Sequence, residues 1–161
     1  EGLIFQTLYK IHKLITFIFT GEKINFGNYS CLTRQDVTII SDKASLWSSF
    51  SGCIKKNLSN LNEVDSTRGM RYFGPSKMSL LNLVIHSFSI IAVFKYKVFL
   101  RSTFIIIILS FLIKSLGSIV MNIQILIVLF NLLIFIVSLR ENEKALIESN
   151  DNILNETEIT H

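Results

Sequence analysis

Proline is almost missing from this chain, which has one, Pro75, in 161 residues. Everywhere else helices can run unbroken, because proline is the residue that removes a helical N–H and clashes with the preceding turn. Cysteine is just as scarce. Cys31 and Cys53 cannot form a disulfide framework, and they read as two lone thiols rather than a metal site. His12, His86 and His161 lie far apart and give no metal-ligand spacing. No Ser-His-Asp arrangement, Walker A loop or GxGxxG turn occurs, which removes the motif-based nucleotide-binding and hydrolase classes. The opening residues lack the charged, apolar, then small pattern of a secretory signal.

Apolar side chains are abundant instead. Half the residues are hydrophobic and the mean hydropathy is +0.48, high for a purely soluble chain of this length. Charge is unevenly spread. Residues 1–97 hold 12 Lys or Arg against 6 Asp or Glu, whereas residues 140–161 hold 2 against 6. The basic part suits an anionic bilayer surface or a phosphate ligand, and the acidic end reads as a solvated tail. Nucleic acid is excluded as a partner, since the positive charge is modest and no basic-aromatic motif accompanies it.

Residues 3–20 place apolar side chains at helical spacing, with Lys10 and Lys13 on another face. That pattern predicts an amphipathic helix, closed by Gly21. Residues 23–33 read as a strand, a turn at Gly27-Asn28 and a second short strand. Thr33 or Asp36 opens a helix, and one further helix is expected over Ser45 to Lys56. A loop follows to Thr67, with a short strand at Glu63 to Asp65. Ser79 is a good N-cap. Ser79, Asn82, His86 and Ser89 then form one narrow polar stripe on an otherwise apolar helix. Residues 79–97 are therefore expected to lie in the membrane interface, ended by Lys95-Tyr96-Lys97.

Two membrane spans follow within residues 98–139: Val98 to Ile113 and Ile119 to Leu139, joined by a tight connection at Lys114 to Ser118. About 20 apolar residues cross a bilayer core, and Arg101 in the first span can snorkel to the headgroups. Asn122, Gln124 and Asn131 are expected to bond between helices. Basic residues on one side (Lys77, Lys95, Lys97, Arg101, Arg140 and Lys144) face the cytoplasm, with Lys114 opposite. The acidic tail, residues 140–161, returns to the cytoplasm, starts as a helix and frays. The Asn-x-Ser/Thr sites at Asn28, Asn57 and Asn155 then lie in the cytoplasm and carry no glycan. Trp47 reads as a core or interface aromatic and His86 as structural.

The join between the wet and apolar halves is a bent, basic loop. Arg68, Arg71 and Lys77, with Gly69, Gly74, Pro75 and Ser76, crowd into ten residues. Arginine holds phosphate with two parallel bonds and lysine as a point charge. An ordinary basic cluster attracted to headgroups has the same composition.

The run RGMRYFGPSKMSLLNLVIHSFSIIAVF resembles the C-terminal part of membrane-associated family 2 glycosyltransferases, such as dolichyl-phosphate and polyprenyl-phosphate sugar transferases. Arg71, Gly74, Ser76 and Lys77 fill that family's R-x-x-G-x-S-K segment, with Met78 next. Residues 1–34 and the tryptophan segment LWSSFSG are similar to the same region, so the resemblance covers Glu1 to Phe94.

The resemblance implies transfer of a sugar, with inversion, from a nucleotide-sugar donor to a lipid phosphate or another glycan or lipid acceptor. It makes residues 1–78 the C-terminal part of an α/β, GT-A type catalytic domain. Residues 79–97 become the interfacial helix, and the whole fragment is mostly α. Arg71, Gly74, Ser76 and Lys77 would bind the acceptor or the diphosphate, with Arg68 and Asn28 as further candidates. Many lipid-phosphate members carry a G-D-F segment where this chain has Gly27-Asn28-Tyr29. A divalent cation, Mg or Mn, is expected in the full enzyme, with ligands outside this chain. The chain begins at Glu1 rather than Met, so a fragment, inactive alone, is expected; self-association stays open. The rival expectation is a small non-enzymatic membrane protein with a basic cytoplasmic docking region.

Overall fold

Helical periodicity governs the backbone throughout. The computed structural model describes residues 3–25, 29–62, 64 and 79–159. Among these are eight helices and no strand: α1 (Leu3–Thr20), α2 (Arg34–Ser41), α3 (Ser45–Ser48), α4 (Phe50–Asn57), α5 (Leu80–Ala92), α6 (Lys95–Leu116), α7 (Ser118–Ser138) and α8 (Glu143–Ile159).

The long pair α6 and α7 forms an antiparallel hairpin turned by Gly117 alone, whose φ of +55° suits a residue without a Cβ. Both helices are long and apolar enough to cross a membrane. Only 11% and 17% of their most apolar windows are buried, so the rest of the chain does not cover them as it would a soluble core. Polar side chains pin the pair from within. The Ser102 hydroxyl donates to Asn131 Oδ1 at 3.1 Å. Gln124 Nε2 donates to the Ile106 carbonyl at 3.1 Å and to Ser110 Oγ at 3.0 Å. Each such bond contributes about 1 kcal/mol between helices in lipid. Asn122 is exposed instead.

Helices α1 and α5 pack on one end of this hairpin. Ile91, Ala92, Val98 and Ile134 form the shared core, flanked by Ile15, Phe19 and Phe130. The Phe19 and Phe130 rings meet at 4.5 Å. The face α1 turns inward carries His12, Ile15, Thr16, Phe19 and Thr20, while Ile11, Leu14 and Ile18 are exposed. Of the apolar stripe seen in the sequence, Ile11, Leu14 and Ile18 thus face outward while Ile15 packs inward. Small threonines sit at the contact because they let backbones approach closely, and Thr20 satisfies its hydroxyl on the Thr16 carbonyl at 2.6 Å.

Several expectations need correction. No strand forms in the described parts of residues 23–33; Phe26, Gly27 and Asn28 lie outside the described residues, as do Glu63 and Asp65 of the other expected strand. A strand needs a ladder partner for its polar groups, and here the flanks bond to helices. Lys13 Nζ donates to Asn25 Oδ1 at 3.1 Å, and Thr33 closes a capping box with Asp36 at the start of α2. The regular structure in the described part of residues 1–78 is therefore helix alone, joined by irregular segments. The single helix expected over Ser45 to Lys56 is two. Ser49 is extended and accepts from the Gly52 N–H, restarting the helix as an N-cap.

Ser79 does cap α5, accepting from the Asn82 N–H at 3.2 Å. However, that helix ends at Ala92, not at the Lys-Tyr-Lys anchor. Val93 and Phe94 are buried and turn the chain, so Lys95 and Lys97 enter the first turn of α6. The span-to-span connection shrinks to Gly117, and the tail breaks at residues 139–142 before resuming as α8.

Helices α2 and α4 share a second small core of Ile40, Cys53 and Ile54, with Trp47 close in sequence as the only tryptophan. Truncating Ile54, 1% exposed, to alanine should cost about 2–5 kcal/mol. The Trp47 fluorescence transition on thermal unfolding should fall accordingly; an unmoved midpoint would remove Ile54 from that core.

Candidate interfacial site

Charged side chains collect where α1, α5, α6, α7 and α8 meet at the open end of the hairpin. Lys95 and Lys97 stand in the first turn of α6, where the helix dipole disfavours cations. Each finds an acidic partner from elsewhere: Lys97 pairs with Glu22, and Lys95 Nζ lies 3.2 Å from Glu141 Oε2. Arg140 NH1 reaches Ser89 Oγ at 3.4 Å, which draws the far end of the α5 polar stripe onto the close of α7.

Arg101 belongs to the same set. Its guanidinium donates to the Ile18 carbonyl at 3.2 Å, one of the carbonyls left open at the C-terminus of α1. Gly21 makes that contact feasible. Its φ is +76°, and a Cβ there would lie 2.4 Å from Arg101 NH2. Its own N–H donates to the Phe17 carbonyl at 2.8 Å, which is how glycine closes a helix. Thus the arginine expected to snorkel reaches the C-terminal end of α1.

His12 lies on the packed face of α1, its Nδ1 at 3.4 Å from Thr16 Oγ1. Burial lowers its pKa from the usual 6.5, helped by the nearby His86 and Lys13. Beside it Lys13, Lys23 and Asn25 line a shallow recess. A metal is not indicated here: among the described residues no three His, Cys, Asp or Glu side chains come together.

No family model, curated protein or solved structure matches this chain.

Arg68, Arg71, Gly74, Ser76, Lys77 and Asn28 all lie outside the described residues; what is described resumes at Ser79. His86 is exposed near the α1 face, and Trp47 is about half exposed on α3. Sequence reasoning missed Glu22, Glu141 and Ser89 as partners. Their contacts span 75, 46 and 51 residues, and no local pattern announces a pair that distant.

Two outcomes follow. Gly21→Ala forces an alanine into the left-handed region and into the Arg101 guanidinium; it should cost about 1–2 kcal/mol, visible as a lower thermal midpoint, and an unchanged midpoint would detach Arg101 from α1. His12, with its folded-state pKa below the unfolded value, contributes stability that is complete above that value and lost as pH falls through the folded one. NMR titration should place its midpoint below 6.5, and His86→Leu should raise it; a midpoint above 6.5 would contradict the burial.

Proposed function

We propose that the chain is the C-terminal, membrane-embedded part of a family 2 glycosyltransferase. Such an enzyme moves a sugar, with inversion, from a nucleotide sugar to a polyprenyl or dolichyl phosphate. The supporting observation is the arrangement around α5: two helices, α1 and α5, dock on the charged end of an apolar hairpin. The basic segment Arg68 to Lys77 leads in sequence straight into the Ser79 cap of α5. In this reading the hairpin is a two-span anchor. Its cationic end (Lys95, Lys97, Arg101, Arg140 and Lys144) faces the cytoplasm, and Lys114 stands at the other end.

The chemistry assigned to the basic segment is electrostatic. A phosphate acceptor is already a nucleophile, so the acceptor oxygen attacks the anomeric carbon without a general base. As that bond forms, the bond to the nucleoside diphosphate breaks and its electrons leave with the diphosphate. Arg71 and Lys77 bring the two phosphate groups together by offsetting their repulsion. Ser76 adds a hydroxyl donor, Gly74 allows close backbone approach, and Arg68 and Asn28 flank the acceptor. The Mg or Mn ion that the family uses would be held by acidic residues outside these 161. The α/β donor-binding part is likewise assigned upstream.

The test uses membranes expressing the intact gene, supplied with nucleotide sugar and polyprenyl phosphate. Arg71→Ala should lower transfer by about 100-fold or more while the protein stays resistant to alkaline carbonate extraction. Unchanged transfer would remove Arg71 from the site. If the intact gene supports no nucleotide-sugar turnover, the docking-protein alternative takes its place.

A further inference from the structure

A groove of about 550 Å³ opens between the charged end of the hairpin and the start of α8. Phe99 and Phe135 form its apolar side, while Lys95, Glu141, Glu143 and Lys144 supply its charge. Glu141 is the unusual member. Its side chain is only 8% exposed, and Oε2 takes the Lys95 ammonium at 3.2 Å. Oε1 is the one buried polar side-chain atom, among the described residues, with no hydrogen-bond partner. A buried acceptor left this way is costly, and more so when it carries charge.

Three features limit what can supply the missing donor. It must carry an N–H or O–H, since Oε1 can only accept. It enters a groove that also presents a free-standing cation, Lys144, beside the bound Lys95, so a group with both charges fits better than a simple amine. The apolar side of the groove continues onto the uncovered faces of α6 and α7, which acyl chains would cover. Metal ions do not meet these conditions, because the described residues bring no three suitable ligands together.

We infer that this groove binds a phospholipid with a primary-amine headgroup, phosphatidylethanolamine in chemical class. Its ammonium donates to Glu141 Oε1, its phosphate pairs with Lys144, and its chains follow Phe99 and Phe135 into the bilayer. The inference rests on reading α6 and α7 as spans and is independent of sugar transfer. Choline lipids share the phosphate and the chains, but a quaternary ammonium has no N–H to give.

The deciding experiment takes the full chain in mild detergent with equimolar palmitoyl-oleoyl phosphatidylethanolamine and phosphatidylcholine, and counts retained lipid by native mass spectrometry. The ethanolamine lipid should be retained about tenfold over the choline lipid, the effect of one charge-assisted bond. Glu141→Gln should bring that ratio near one. Lys144→Gln, which leaves the Lys95–Glu141 pair intact, should lower retention of both lipids alike and keep the ratio. Equal retention by the native chain would overturn the inference, as would an undiminished ratio in Glu141→Gln. Displacement by soluble phosphoethanolamine at lipid concentration would do so too, since it would make the lipid chains irrelevant. Release of the chain by alkaline carbonate would instead remove the spans, and absent sugar transfer alone would leave the lipid ratio standing.

Discussion

The position of charge along the α6–α7 hairpin constrains everything packed against it. A cation at the centre of a bilayer is costly, and the described cations of α6 and of the α7–α8 turn lie toward the ends of the two apolar helices, with Lys114 at the Gly117 turn and the rest at the open end. There they do more than avoid lipid. Lys95, Lys97 and Arg101 each reach a group from another part of the chain: Glu141 beyond α7, Glu22 after α1, and the last turn of α1 itself. These contacts tie α1, the α7–α8 turn and the charged groove to one end of the hairpin together. Exposed ion pairs contribute little, so Lys97–Glu22 serves mainly as register. Lys95–Glu141, largely out of water, is the pair whose loss would leave a buried charge behind.

Close packing complements this charge arrangement. The contact between α1 and the hairpin selects shape over hydropathy, since threonines let the backbones approach closely. That is why Thr16 and Thr20 are buried while Leu14 and Ile18 face outward. Ile15 and Phe19 supply the bulk, and Phe19 meets Phe130 at the core. The same logic explains the hairpin seam, where Ser102 lies against Asn131 and Ser110 against Gln124. Residues that look like defects in an apolar run are its fastening.

Local signals in the sequence were therefore reliable and remote ones were not. The helix over residues 3–20, its Gly21 terminus, the Thr33 and Ser79 caps and the two long apolar helices follow from periodicity and capping, which act within a few residues. The burial of Val93 and Phe94 that moves the helix break depends on what packs over them, and no four-residue window carries that. The strands expected near residue 25 failed for the same reason: a strand is defined by its partner, and no described segment lies alongside residues 23–25 or 29–33 to form a ladder. Of the candidate site, the sequence made the basic segment conspicuous, whereas the groove around Glu141 was invisible. Glu141 sits in an acidic stretch that reads as solvated tail, and it becomes distinctive only when folding lays it against Lys95.

That contrast shows how an apolar hairpin, read as a membrane anchor, could also select a ligand. The anchor's apolar faces are generic, and any lipid chain satisfies them. Selectivity needs a group whose hydrogen bonding is incomplete, placed where headgroups pass. Glu141 is held there by a geometric conflict. Lys95 must occupy the first turn of α6 because Val93 and Phe94 fill the core behind it, and it then engages only one carboxylate oxygen. The second oxygen is carried out of water by the turn that starts α8, leaving an acceptor whose partner the chain itself does not provide.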